Sequence, residues 1–190
     1  MKIVSILIAG LYWATTALAQ DGETAKRDAL KKAADQMNYA LVNRKFDLFV
    51  KTAYPKAITT VPGGAEKMIE RLKTQMAAMD QQGHRIVAAW IGEPTAFIDT
   101  AGELQCTVNQ KMALQFEQGK LITETTLLAL SPDDGVTWYF VDAADRDIQK
   151  MRTIFPTLSS KLVLNPSPEP VFEKTPEKAP EKKAVPKSKK

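Results

Sequence analysis

The most reactive side chains in this chain belong to a single histidine and a single cysteine. His84 follows Gly83 at the end of a predicted helix, where its ring can pair with the last helix carbonyls without a catalytic role. The patterns H-E-x-x-H, C-x-x-C and G-x-S-x-G are absent, as is a glycine-rich phosphate loop. The sequence therefore predicts no metal site, no cofactor and no catalytic residue. Cys106 stands in an alternating strand and has no partner cysteine, so we expect a small buried apolar side chain.

Polar residues that interrupt apolar strand faces are the best indirect indication of a site. Gln110, Glu124 and Asp142 each stand in such a face. If these faces line one cavity, the three side chains could orient a ligand, with Trp90 supplying aromatic surface. A structural alternative stays open, in which Gln110 satisfies a buried backbone group, Glu124 reaches the rim and Asp142 caps the last helix.

The stretch from Ser131 to Trp138 matches the pattern S-x-D-x-G-x-T-W, with Thr137 before the tryptophan. Asp133 can accept hydrogen bonds from nearby amides, Gly135 can adopt a positive φ, and Trp138 can pack at the start of the next strand. The pattern resembles the Asp-box, which recurs in sialidase propellers and occurs singly in unrelated folds. Because a propeller needs several copies in a longer chain, we interpret this single copy as a structural turn joining the last two long strands.

Residues 1–19 have the three parts of a secretory signal peptide: a positive start at Lys2, an apolar run, and Ala-Leu-Ala before Gln20. The apolar run is shorter than the roughly 20 residues that span a bilayer. Cleavage before Gln20 is therefore favoured over the alternative of an uncleaved membrane anchor. We expect an exported protein, periplasmic or extracellular.

The formal net charge of +4 is unevenly distributed. From Pro166 onward seven Lys stand against four Glu, whereas residues 20–165 carry 18 basic and 18 acidic residues. A neutral domain argues against nucleic-acid binding, which needs a basic face. Residues 166–190 hold six of the eleven prolines and predict a disordered tail. That tail is either a solvated tether or, through its Lys-rich end, a contact for anionic surfaces.

Hydrophobic periodicity predicts helices followed by strands. Apolar residues recur at helical spacing at about 24–43, 44–53 and 65–82, and in a closing helix from about Asp145. The period is two at 85–91, near Phe97, and at 104–116, 120–130 and 136–142. The 104–116 strand is expected to have one wet face. Short loops between adjacent strands predict an α+β fold, with N-terminal helices packed on a curved antiparallel sheet, followed by a C-terminal helix.

This order of elements, with paired helices ending at FVKTAYP and a final strand VTWYFVD, resembles the nuclear transport factor 2-like superfamily, which includes ketosteroid isomerases and scytalone dehydratase. The resemblance covers roughly residues 24–142 of a domain spanning 20–165. It implies a cone-like fold whose sheet and helices enclose an apolar pocket, filled by side chains or used for a ligand. It transfers no catalytic residue, since no family role can be matched here. The additions after Asp142 could cover the cone mouth or mediate homodimer formation.

Two hypotheses for function follow. The first is an exported, non-catalytic binding or interaction module, in which the cone or the open sheet face holds a small apolar ligand or another envelope protein. The second is a small lyase, isomerase or hydrolase that uses Asp142 or Glu124 as a carboxylate in the cone. The absence of a recognisable acid–base arrangement favours the first.

Overall fold

The chain folds as an α+β protein in which helices pack on a six-stranded antiparallel sheet, and this confirms the predicted fold class. The computed structural model describes residues 11–144 and 146–175, with side chains from residue 22 onward. The helices are α1 (Leu11–Val42), α2 (Phe46–Thr52), α3 (Pro55–Thr59), α4 (Gly64–Gln81) and α5 (Ile148–Ile154). The strands are β1 (Arg85–Ile91), β2 (Ile98–Thr100), β3 (Glu103–Phe116), β4 (Gly119–Ser131), β5 (Tyr139–Asp142) and β6 (Val171–Lys174).

The centre of the sheet is the pair formed by β3 and β4. Its 13 paired positions run from Leu104 opposite Ser131 to Phe116 opposite Gly119. β1 and β2 pair with the other edge of β3, while β5 and β6 pair with the other edge of β4. Because side chains alternate along a strand, even-numbered residues of β3 lie on one face and odd-numbered residues on the other. We call these the inner face and the outer face.

The inner face packs against α1, whose residues Leu30, Ala34 and Met37 recur at helical spacing. This apolar core consists of Leu30, Ala34, Met37, Leu104, Cys106, Val108, Leu127, Ala129, Trp138 and Phe140. A second inner cluster, around Leu41, Phe46, Met76 and Ile86, packs α2 and α4 at the other end of the sheet. Cys106 is fully buried, and desolvation raises the pKa of its thiol to about 12, so the prediction of a small buried apolar side chain is confirmed.

The outer face is covered in part by α5 and the extension that follows it. Apolar residues between Met151 and Leu162 pack on Leu128 and Leu130 of β4. Thr126 Oγ1, two positions along the same face, donates to Asn165 O at 3.3 Å. The C-terminal extension therefore covers the half of the outer face that lies next to β5.

The prediction that β3 has one solvent-exposed face is wrong for the first half of that strand. Gln105 and Thr107 are both buried. The C-terminal extension lies over Gln105, whereas Thr107 Oγ1 is 3.2 Å from Thr95 Oγ1, in the segment between β1 and β2. The Gln105 side chain donates to Thr157 O at 3.1 Å and accepts from Ser159 N at 2.9 Å. Gln105 thus faces the backbone of the extension and supplies the hydrogen bonds that this backbone would otherwise make with water.

Several helix and strand boundaries differ from those that periodicity predicts. α1 includes the part of the predicted signal peptide that the structure describes, residues 11–19, and β5 begins at Tyr139 rather than at position 136. α3 is not predicted, because a proline after a helical segment indicates that the helix ends. α2 does end at Thr52, but Pro55 also supplies the first residue of a new helix. Among the residues that the structure describes, no helix combines the length and apolar character needed to cross a membrane.

The prediction of a disordered tail from Pro166 is wrong for Val171–Lys174, which forms β6 on the edge of β4. All four β6 side chains are exposed. The strand therefore depends on backbone pairing, which composition does not reveal. The last part of the predicted tail, residues 176–190, lies outside the described residues.

The S-x-D-x-G-x-T-W stretch forms the turn between β4 and β5, as predicted. Asp133 Oδ1 accepts from Ser131 Oγ at 2.8 Å and from Thr137 N at 2.7 Å, and the bond from the Thr137 amide is the main reason that the pKa of this carboxyl is lowered. Gly135 adopts φ 90°, and Trp138 Nε1 donates to its carbonyl at 3.0 Å. These bonds hold the turn closed, and Leu130 lies opposite Tyr139 directly beyond it.

Replacement of Leu30 by Ala tests the inner core. Leu30 is fully buried between α1 and the sheet, so we expect the free energy of unfolding to fall by about 2–5 kcal/mol through lost contacts and a cavity. Tyr39 on the same helix is 58% exposed, and Tyr39→Ala should change stability by no more than about 0.5 kcal/mol. Urea unfolding measures both. Equal losses in the two variants would contradict the assignment of the buried helix face.

Candidate functional site

Gln110 lies on the inner face, where β3 meets α1. Its Nε2 donates to Asn38 Oδ1 at 2.7 Å, and both side chains are buried. The hydrogen-bond partner of Gln110 is therefore another side chain, and not the buried backbone group of the structural alternative. Asn38 Nδ2 is also buried and finds no acceptor among the described residues. The two residues form a polar pair between the helix and the sheet, with apolar clusters on either side.

Asp142 lies at the exposed end of the same face. Thr125 stands directly opposite Gln110 in β4, and its Oγ1 donates to Asp142 Oδ1 at 2.9 Å. Ala144 N donates to the same oxygen at 2.8 Å. The alternative in which Asp142 caps α5 is wrong, because Asp147 accepts the capping hydrogen bond. Asp142, Thr125 and Gln110 thus form an inner row that runs from the sheet edge toward α1.

Trp90 and Glu124 lie on the outer face. Trp90 stands opposite Lys111 across β1 and β3, and Lys111 stands opposite Glu124 across β3 and β4. Lys111 Nζ is 3.4 Å from Glu124 Oε2, and Asn109 Nδ2 donates to Glu124 Oε1 at 2.8 Å. Trp90 is 42% exposed. We call Trp90, Lys111 and Glu124 the outer row.

The four residues predicted from sequence therefore fall into two places. Gln110 and Asp142 lie in the inner row, whereas Trp90 and Glu124 lie in the outer row. The backbone of the sheet separates the two rows, so these side chains cannot line one cavity together. Asn38, Thr125 and Lys111 are the partners that sequence reasoning missed. Thr125 and Lys111 stand opposite Gln110 and Glu124 because of the β3–β4 register, whereas Asn38 reaches Gln110 from α1.

A third polar group, which sequence reasoning missed entirely, surrounds Glu103 at the start of β3. Tyr54 Oη donates to Glu103 Oε1 at 2.6 Å, and Lys56 Nζ donates to the same oxygen at 3.0 Å. Tyr54 reaches this outer-face position because its amide bonds Phe140 O, where the chain passes the edge of β5. We call Tyr54, Lys56 and Glu103 the Glu103 cluster. Tyr54 and Lys56 are 49 and 47 residues from Glu103 in the chain, and no local pattern links them.

The Glu103 cluster changes the proton affinity of two of its members. Burial raises the pKa of Tyr54 above its ordinary value, and the hydrogen bond to the Glu103 carboxylate raises it further. The pKa of Lys56 is raised by its interaction with Tyr54 and then by that with Glu103. The cluster therefore keeps a neutral phenol and a charged ammonium around one carboxylate. This arrangement ties α3 to β3 across the edge of the sheet.

The carboxylates of these groups are engaged by neighbouring donors. Glu103, Glu124 and Asp142 each accept at least two hydrogen bonds or ion pairs from the chain itself. His84 packs on the ring of Phe116 with centroids 4.1 Å apart, at the end of the sheet beside the β3–β4 turn. Within the described residues, no group of three or more His, Cys, Asp or Glu side chains is placed to hold a metal ion.

Comparison with known proteins adds no family to this geometry. No family model matches the chain, and no curated protein matches it either. The function must therefore be inferred from the two rows and the Glu103 cluster.

The Glu103 cluster predicts a loss of stability at high pH. Both shifted pKa values lie above the ordinary values near 10, so the stabilisation is present below pH 10 and is lost as the pH rises through the folded-state pKa values. Tyr54→Phe should lower the free energy of unfolding by about 1.5–3 kcal/mol at pH 8 and flatten the alkaline decline. Urea unfolding at pH 8 and pH 11 measures this, with Tyr39→Phe as the exposed control. An unchanged alkaline decline in Tyr54→Phe would contradict the assignment.

The Asn38–Gln110 pair predicts a double-mutant result. Asn38→Leu or Gln110→Met alone leaves a buried amide without its partner, and each should lower the free energy of unfolding by about 1–3 kcal/mol. The double variant removes both polar groups at similar volume, so it should be more stable than the sum of the two losses implies. Urea unfolding of the four proteins gives the coupling energy. Strictly additive losses would show that the two side chains act independently.

Proposed function

We propose that this chain is an exported, non-catalytic interaction module of the nuclear transport factor 2-like type, and that its outer row binds another protein. The observation that carries this proposal is the exposure of Trp90 on the outer face, beside the Lys111–Glu124 ion pair. Tryptophan supplies a large apolar contact with one polar group, and it is enriched among the residues that dominate binding energy at protein interfaces.

The outer row also has the rigidity that a recognition surface requires. Its three side chains stand on three neighbouring paired strands rather than on loops. Asn109 and Lys111 hold the Glu124 carboxylate from two sides, so its orientation is set before a partner arrives. Side chains ordered in advance lose less conformational entropy on binding.

The inner face favours an interaction module over a container for a small apolar ligand. Ten buried residues from α1, β3, β4, β5 and the approach to β5 fill the space between the helix and this part of the sheet. The inner row extends beside that core. Its Gln110 amide donates to Asn38, and its Asp142 carboxylate accepts from Thr125 Oγ1 and from Ala144 N. A general base would need a carboxylate aimed at a substrate position.

Charge and the N-terminal pattern support the remaining parts of the proposal. The domain of residues 20–165 is electrically neutral, which fits a protein partner better than a nucleic acid. The tripartite pattern of residues 1–19 supports export and an envelope partner. The order of helices before an antiparallel sheet supports the nuclear transport factor 2-like type.

Photo-crosslinking from the outer row tests the proposed interface. Benzoylphenylalanine at position 90, in the cell envelope, should give a discrete product with one protein, because the residue lies within the contact. The same group at position 39, which is more exposed but lies on the solvent side of α1, should not give this product. With the partner identified, Trp90→Ala should raise the Kd by at least about 30-fold.

Two results would contradict the outer-row interface. One is the same crosslinked product from positions 90 and 39, which would indicate random collision. The other is a partner whose affinity is unchanged by Trp90→Ala in a protein that melts at the wild-type temperature. A crosslinked product between two copies of this chain would identify a second copy as the partner.

A further inference from the structure

The edge of β4 beside the β3–β4 turn carries a short strand from the far end of the chain. β6 pairs antiparallel with it, with Val171 opposite Ile122 and Lys174 opposite Gly119. Thr175 N donates to Gln118 O at 3.0 Å and prolongs the pairing into the turn. An edge that accepts a strand from a distant segment offers the same backbone groups to an identical strand from another molecule.

The absence of a side chain at Gly119 is required by the close approach of β6 and not by the turn. The φ of Gly119 is not among the positive values found at other glycines, so the turn does not require glycine at this position. A Cβ atom at position 119 would lie 2.2 Å from Glu173 O, and the three nearest atoms all belong to β6. The missing side chain at Gly119 is thus what allows β6 to approach closely.

β6 is held by few contacts besides its backbone. All four of its side chains are exposed, with Val171 at 60% and Phe172 at 43%. Phe172 packs edge to face on Phe116 with centroids 6.2 Å apart. A strand of four residues with exposed side chains opens at low cost in free energy, because little apolar surface returns to water.

The connection to β6 limits where the strand can go. Six residues, 165–170, join the outer-face extension to β6, and three of them are proline. Asn165 is held at the start by Thr126 Oγ1. A proline-rich segment of this length is stiff and extended and spans at most about 20 Å.

We propose that the β4 edge from Gly119 to Ile122 is an acceptor site for β6 of a second copy of this chain, so that two copies exchange the strand reciprocally. The exchanged dimer keeps every backbone bond of β6 and the Phe116–Phe172 contact, and only the connection 165–170 changes its course. Exchange of an identical element is therefore a low-cost route to a dimer. The short connection places the two β4 edges side by side across a two-fold axis.

This dimer is distinct from the interface proposed for the outer row. The acceptor edge is defined by Gly119 and the backbone of β4, whereas the outer row depends on Trp90. Trp90→Ala should therefore leave strand exchange unchanged, and a protein deficient in exchange should keep its outer row. Failure of either proposal leaves the other testable.

A mixing experiment with full-length variants tests the exchange. Gly119→Ala blocks the acceptor but keeps the donor strand, while Phe172→Pro breaks the donor strand and keeps the acceptor. Each variant alone should raise the dimer Kd, measured by sedimentation, by at least about tenfold. Differently tagged copies of the two variants, mixed together, should form a heterodimer through one exchanged strand.

Gly92→Ala is the matched control, because a Cβ there would meet its nearest atom at an ordinary 3.9 Å. It should dimerise like the wild type, and circular dichroism checks that every variant is folded. Strand exchange is overturned if the wild-type chain stays monomeric as its concentration rises, or if Gly119→Ala dimerises as well as Gly92→Ala. Normal dimerisation of Phe172→Pro alone overturns it too, as does failure of the two folded variants to associate when they are mixed.

Discussion

The pairing of β3 with β4 is the interaction on which the rest of the structure depends. These two strands pair along 13 positions and separate all the other strands into two groups, one on each side. The register also decides which residues face α1, since a shift by one position would move every side chain to the opposite face. The turn built by Ser131, Asp133 and Gly135 leads directly into the pairing of β4 with β5. Local hydrogen bonds thus support a long-range arrangement.

Different elements pack on the two faces of this sheet, and this difference determines whether polar residues on each face are buried or reach solvent. α1 covers the inner face with apolar residues, so polar groups there, such as Asn38 and Gln110, pair with each other. The C-terminal extension covers only part of the outer face and leaves Trp90 exposed. A hydrogen-bonded polar pair within the core supports specific packing of the helix on the sheet. An exposed aromatic on a paired strand supports recognition.

The segment after α5 connects several otherwise separate features. Its backbone covers Gln105, its residue Asn165 contacts Thr126, and its end forms β6 on the edge of β4. Edge strands with free backbone groups tend to associate with other chains, and β6 occupies one such edge. The strand exchange that we propose would use the same backbone groups.

The sequence by itself determined the order of the helices and strands other than α3 and β6, the α+β class, the burial of Cys106 and the hydrogen-bonded turn at Asp133, because each follows from periodicity or from neighbouring residues. Only the tertiary structure decided that Gln110 pairs with Asn38, that Trp90 and Glu124 lie on the opposite face from Asp142, and that Tyr54 binds Glu103. It also decided that Gln105 is buried and that Val171–Lys174 is a strand. The physical reason is the same for all of these. Strand register and the packing of α1 and of the C-terminal extension on the sheet bring together residues that are far apart in the chain, and neither composition nor local spacing predicts such contacts.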